Sequence, residues 1–244
     1  MIAEIRSEMR KTLTVRSTYI ILGLGVALVA LTNGWITGYK SQLQGGDFIA
    51  GLITTSVQVS GFLLGLIVLL QITHEYRHNT IYHTLTLGKN RTAVMLAKTI
   101  VATLAVLVGT ALIAATGVSS GIIGRIISGQ DIGPQVIPWI DTFARVSVYS
   151  WGAGMYALFI GLLVRHQAGA LVLYLFGISI IEQFLTLILA KNAGYLPFRA
   201  LESILLEGEI TGVFSYEKSM VVVVGWVIAF GLGAWALFVR RDAN

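Results

Sequence analysis

The sequence predicts an all-α, polytopic membrane protein with six transmembrane helices and an N-terminal amphipathic interfacial helix. Three observations carry that expectation. Of 244 residues, 55% are hydrophobic and only 12% charged, about half the charge usual in soluble domains. Mean hydropathy is +0.79. The apolar residues gather into six runs, each matching the ~20-residue helix that a bilayer core requires. A large soluble core does not resolve the charge deficit, because a domain of this size must still cover its surface with polar groups.

The six runs are residues 18–37, 51–72, 99–123, 146–164, 169–190 and 220–239. No soluble domain, low-complexity segment or internal repeat separates them, so residues 1–244 read as a single transmembrane domain. Ahead of the first run, residues 1–16 place Ile2, Ile5, Met9 and Leu13 at helical spacing, with Glu4, Arg6, Glu8, Arg10 and Lys11 between them. That pattern suits a helix lying on the inner membrane surface with its cations toward anionic headgroups. A charged start followed by a run of span length does not resemble a cleaved signal peptide.

Between the second and third runs lies a polar inner segment, residues 73–98. Between the fifth and sixth lies an outer excursion, residues 191–218, too long for a simple turn. Within it Pro197 can open a helix in which Phe198, Leu201, Ile204 and Leu205 share one face.

Orientation follows from the cations. With the N-terminus inside, Arg6, Arg10, Lys11, Arg16, Arg77, Lys89, Arg91, Lys98, Arg165, Arg240 and Arg241 are cytoplasmic. Lys40, Arg125, Arg145, Lys191, Arg199 and Lys218 are outside. The division is 11 against 6, the bias expected of cytoplasmic loops, and it puts both termini in the cytoplasm. The net charge of +5 does not point to nucleic acid, because the basic residues flank apolar runs instead of forming a patch with aromatics. With no cysteine, disulfides, thiolate metal sites and cysteine nucleophiles are excluded.

Two patterns in the inner segment carry chemistry. His74-Glu75-Tyr76-Arg77-His78 is a literal H-E-x-x-H. On a helix it sets two imidazoles one turn apart beside a glutamate, the arrangement of two zinc ligands and a general base. A membrane-embedded zinc metalloprotease using His74, Glu75 and His78 is therefore one reading. Against it, no third ligand stands at a recognisable spacing, and the Asp-Gly element of membrane-embedded site-two proteases is missing.

The second pattern runs HEYRHNTIYHTLTLGKNRTAVMLAK from His74 to Lys98. A glutamate and then a threonine precede a leucine, a basic residue follows in a turn, and a lysine stands at the mouth of the next span. With Glu75, Thr80, Leu85, Arg91 and Lys98 in those places, the segment resembles the cytoplasmic segment of type-2 ABC exporter permeases. The resemblance extends to the layout of nearly the whole chain. Asn79 departs from it, standing where many members have glycine.

That resemblance implies a permease subunit of an ATP-driven exporter in the bacterial cytoplasmic membrane. It would be paired with a second permease copy or paralogue and docked on a separate ABC ATPase subunit. It implies no cofactor in this chain; ATP and Mg would sit on the partner, and this chain would not itself be an enzyme. Glu75, Arg77, Asn79, Thr80, Arg91 and Lys98 would form the ATPase-coupling interface. A third reading is a non-transporting scaffold subunit of such a complex. Gly88-Lys89 makes no phosphate loop, because His83 stands where the loop's first glycine belongs and Asn90 replaces Ser or Thr.

Within the spans, Glu182 is the only carboxylate. A charge at the centre of a bilayer costs about 2.5–3.5 kcal/mol on insertion scales, which disfavours a lipid-facing side chain. Glu182, Gln183 and Gln58 are therefore assigned to a substrate path or a subunit seam, with Asn33, Thr54, Thr55, Ser56 and Ser60 as further polar positions. Single Ser and Thr side chains are more often satisfied by their own helix. Gly61…Gly65 and Gly117…Gly121 are small-xxx-small pairs that let helices approach closely.

Overall fold

The structure, a computed structural model, describes residues 2–40, 48–81, 90–133, 135, 137–206 and 212–240. All regular structure among them is helical. Leu85 and Lys89 of the expected coupling segment lie outside the described residues.

Helix α1 (Ile2–Thr14) ends at Val15, whose extended backbone breaks the rod before α2 (Arg16–Leu31). Helix α2 continues as a π-helix, Thr32–Lys40. Helices α3 (Phe48–Arg77), α4 (Arg91–Ile127) and α5 (Trp139–Val164) follow. Then come α6 (Gln167–Phe176), a π turn (Gly177–Ile181) and α7 (Glu182–Leu189). A 3-10 turn (Ala190–Tyr195), α8 (Pro197–Leu206) and α9 (Tyr216–Arg240) complete the chain.

Five helical stretches are long and apolar enough to cross a membrane: Arg16–Ile36, Phe48–Arg77, Arg91–Ile127, Trp139–Val164 and Tyr216–Val239. Helices α3 and α5 are the most buried and pack on each other at the centre; α2 and α9 are largely exposed flanks. Large apolar side chains such as Ile20, Leu104, Leu187 and Leu232 stand on the surface. That is the surface of a membrane-embedded bundle, whose lipid-facing side chains have no aqueous penalty to escape.

Between helices in lipid, close contact replaces the hydrophobic drive. At Gly65 of α3, an added Cβ would strike the Tyr174 hydroxyl and the Ala153 carbonyl; at Gly117 of α4 it would strike Ser56 and Asn33. Both small-residue pairs are therefore true contact faces. Asn33 donates from Nδ2 to the Leu52 carbonyl at 2.9 Å and to Ser56 Oγ at 2.8 Å, pinning the π-helical stretch to α3. Thr54, Ser56 and Ser60 bond back to carbonyls of their own helix, as isolated hydroxyls in helices do.

Three boundaries differ from the sequence expectation. Helix α3 continues past residue 72 to Arg77, and α4 begins at Arg91, before residue 99. Asn90 starts α4 by accepting the Thr92 amide on its side chain at 3.0 Å, a capping bond that a hydropathy window does not see. The run at 169–190 is not one α-helix but two short ones, of 10 and 8 residues, joined by the π turn. The last piece stops at Ala190, whose φ of 44° no helix continues through.

Contacts among the helix ends give the bundle two distinct ends. Arg91 donates to the Val239 carbonyl at 3.1 Å and Arg165 to the Leu237 carbonyl at 2.7 Å. The end of α9 therefore meets the start of α4, beside α1, so α1 and the end of α9 share one end of the bundle. At the other end, Arg145 donates to Asp141 and to the Ile204 carbonyl, and lies over the Tyr216 ring. That one side chain joins α5, α8 and α9.

Candidate functional site

Four charged residues near the shared end come together in one cluster. Helix α1 brings Glu8 and Lys11, one turn apart; α3 brings Glu75 in its last turn, and α4 brings Lys98 in its second. Lys98 Nζ donates to Glu8 Oε2 at 2.8 Å and to Glu75 Oε1 at 2.7 Å. Lys11 Nζ donates to Glu8 Oε1 at 2.7 Å and to the same Glu75 Oε1 at 2.9 Å. Glu8, Glu75 and Lys98 are buried, at 8%, 7% and 2% exposure; Lys11 closes the group on its outer side.

Two carboxylates and two ammoniums leave no net charge. That neutrality, with four short hydrogen bonds, is what lets ions stand among apolar helices. Burial alone would lower the Lys11 pKa, but the Glu75 and Glu8 carboxylates outweigh it and hold the ammonium above the usual lysine value.

Around the cluster is a cavity of about 380 Å³, lined among others by Gln71, His74, His78 and Thr80. Glu75 Oε1 receives both lysines, whereas its Oε2 is buried with no hydrogen-bond partner among the described residues. The imidazoles of His74 and His78 lie edge to face with centroids 5.9 Å apart. No group of three or more His, Asp or Glu side chains able to hold a metal occurs among the described residues, and Glu75 is engaged by two ammoniums.

Of the other residues expected at a coupling interface, Arg77 and Arg91 join helices. Arg77 donates to the Gln167 side chain at 3.2 Å, linking the end of α3 to the start of α6. The Thr80 hydroxyl meets the Glu75 carbonyl at 3.5 Å. Asn79 has φ of 53°, the left-handed conformation that glycine and asparagine adopt most readily. Arg91 is half-buried at the α4 start and grips the final turn of α9.

Sequence reasoning placed Glu8 and Lys11 on a headgroup-facing surface and missed that they complete this cluster. The available signal was the placement of charge: Glu75 and Lys98 stood at apolar boundaries, and α1 offered complementary charges in Glu8 and Lys11.

The second group is at the opposite end. Glu182 Oε1 accepts the Phe198 amide at 3.1 Å and Oε2 accepts the Arg199 amide at 3.0 Å. These amides belong to the first turn of α8, where backbone donors have no helical acceptor and the helix dipole favours an anion. Glu182 therefore caps α8 across the chain. Gln183 and Gln58 are both exposed on apolar helices and share no site with it.

The chain matches no known family model and no curated protein by sequence.

Proposed function

We propose that this chain is the membrane-spanning permease subunit of an ATP-driven exporter of the type-2 ABC class. In this reading the helical run from α6 to α7 serves as a sixth crossing despite its π turn. Helix α1 lies on the inner surface, and both termini are cytoplasmic. A second copy or a paralogue completes the path, and a separate ABC ATPase subunit supplies ATP and Mg.

The observation that carries the reading is the buried cluster of Glu8, Lys11, Glu75 and Lys98. An exporter must convert movement of soluble ATPases into movement of helices, and bulk lipid transmits none. The cluster ties the surface helix α1 to the ends of α3 and α4, so displacement of α1 moves both. Glu75 and Lys98 face inward and act as this link. Arg77, Asn79, Thr80 and Arg91 stand at the helix ends and turn that the ATPase would touch.

The seam with a second permease falls to Gln58 and Gln183, exposed among apolar neighbours, since lipid offers an amide no hydrogen bond. Glu182 positions the outer helix α8 by its capping bonds.

Affinity capture from mildly solubilised native membranes, with mass spectrometry and zinc analysis of the same sample, tests the proposal. Co-purification of a Walker-motif ATPase without zinc is the expected result. Stoichiometric zinc with no ATPase would overturn it in favour of a metalloprotease. ATPase coupling without any substrate flux in vesicles would instead select the scaffold reading.

A further inference from the structure

Between α8 and helices α3, α5 and α6 lies a cavity of about 60 Å³. Four aromatic rings wall it, Phe62, Tyr149, Tyr174 and Phe198, and Glu202 is the charged residue in its lining. The small-residue pair of α3 makes the room. A Cβ at Gly61 would strike the Tyr149 ring, and one at Gly65 the Tyr174 hydroxyl, so each glycine seats one tyrosine. Tyr174, fully buried, donates to the Phe62 carbonyl at 3.2 Å, stacks on the Phe62 ring at 5.1 Å and meets Phe198 edge-on at 6.0 Å. These rings hold one another in place with the cavity open between them.

Two polar atoms of the lining are uncommitted. Glu202 takes Arg199 on Oε2 at 2.7 Å, while its Oε1 takes no hydrogen bond from the described residues. The Tyr149 hydroxyl makes none either. Both residues are half-buried and both atoms keep accessible surface, so a ligand can reach them. The Glu202 side chain, 40% exposed, stands at the mouth. Glu182 gives its two oxygens to the Phe198 and Arg199 amides. Two carboxylates thus stand against the single guanidinium of Arg199, and this corner carries one net negative charge.

That chemistry selects a cation of a particular kind. Aromatic faces are negative and attract a positive charge, most strongly where water is excluded. An anion would meet the Glu202 carboxylate, and a neutral apolar molecule would leave that carboxylate unanswered. A hard metal ion asks for six or more oxygen ligands, and the lining offers one carboxylate and one hydroxyl beside four rings. A weakly hydrated organic ammonium has no such demand. A water needs about 10–15 Å³ of cavity measured this way, so the space suits a ligand of roughly four to six non-hydrogen atoms.

We propose that this cavity binds a small organic ammonium ion, its charge set among the rings of Phe62, Tyr149, Tyr174 and Phe198 and toward Glu202 Oε1. The ligand is a free cation and not the headgroup of a phospholipid, whose phosphate would face the same carboxylate. The site does not rest on the exporter reading.

The test uses the full chain, purified in an uncharged maltoside detergent without any ATPase, with choline as the probe. Binding is read by saturation-transfer NMR against two analogues. One is the neutral isostere of choline with carbon in place of nitrogen; the other is glycerophosphocholine, which carries the lipid headgroup's phosphate. Choline is expected to bind at least about ten-fold more tightly than the isostere, since only the charge differs. Glycerophosphocholine should bind more weakly than choline. Tyr149→Leu and Glu202→Gln should each weaken choline by about five-fold or more, whereas Tyr149→Phe, which keeps the ring, should stay within about two-fold of wild type. Glu202→Gln, at a half-exposed position, should melt like wild type without ligand, which separates lost binding from lost fold. Equal binding of choline and its isostere, tighter binding of glycerophosphocholine, or unchanged choline binding by both Tyr149→Leu and Glu202→Gln would overturn the proposal.

Discussion

Lys98 and Glu75, 23 residues apart in the chain, meet at 2.7 Å between two helices, with both side chains buried. Each is also held by a residue of α1, so the pair is the inner half of a four-ion lock. Its net worth against an apolar replacement is not large, because desolvation opposes attraction; removing one partner is another matter. Lys98→Met should destabilise the protein by about 3–5 kcal/mol by leaving two buried carboxylates to share the single Lys11 ammonium. Denaturant titration in detergent checks this, and a double variant with Glu75→Gln should lose less than the sum of the two singles.

Lys11 gives the lock a pH dependence of definite sign. Its folded-state pKa is raised, so its contribution is fully present below the unfolded lysine pKa of about 10.4 and is lost as pH rises through the folded value. The melting-temperature difference between wild type and Lys11→Met should stay constant from about pH 7 to 10 and shrink only above that. A difference already falling between pH 7 and 9 would contradict this account.

Glu182→Ala should release the α8 amides of Phe198 and Arg199, at a cost near the 0.5–2 kcal/mol typical of a lost helix cap. Hydrogen exchange at those two amides should rise before any change at α3. Glu182→Gln, which keeps one acceptor oxygen, should show a smaller effect.

Asn79 occupies left-handed backbone, so Asn79→Gly should be nearly neutral. Asn79→Val should cost about 1–2 kcal/mol, the penalty of forcing a Cβ against the carbonyl in that region. Comparing melting temperatures of the two variants separates a conformational role from a side-chain one.

Much of the fold was legible because apolar run length is a property of the chain itself. Long helices at Phe48–Arg77 and Tyr216–Arg240 could be read from composition, and Pro197 marked the start of α8. The π turn at Gly177–Ile181 was not legible, since a window of hydropathy is blind to a shift in hydrogen-bond register. For the site, Glu75 and Lys98 were visible as charges at apolar boundaries. Their partners Glu8 and Lys11 were not, because the amphipathic pattern of α1 gave those charges a sufficient alternative in the headgroups. Glu182 was legible as an anomaly, but its explanation lies in amides at residues 198 and 199, a contact that no spacing rule encodes.

Helix α4, 37 residues long, carries a buried cation near each end: Lys98, held by two carboxylates, and Arg125, 1% exposed and stacked 4.3 Å over the Phe48 ring. The two positions are about 40 Å apart along the helix, close to the ~40–45 Å thickness of a bilayer with its headgroups. The helix is thus a gauge. A membrane much thinner than this would leave apolar flanks in water, a thicker one would draw both cations toward hydrocarbon, and either mismatch carries a cost per ångström. The same rod that supports the lock also selects the membrane in which the lock can stay closed.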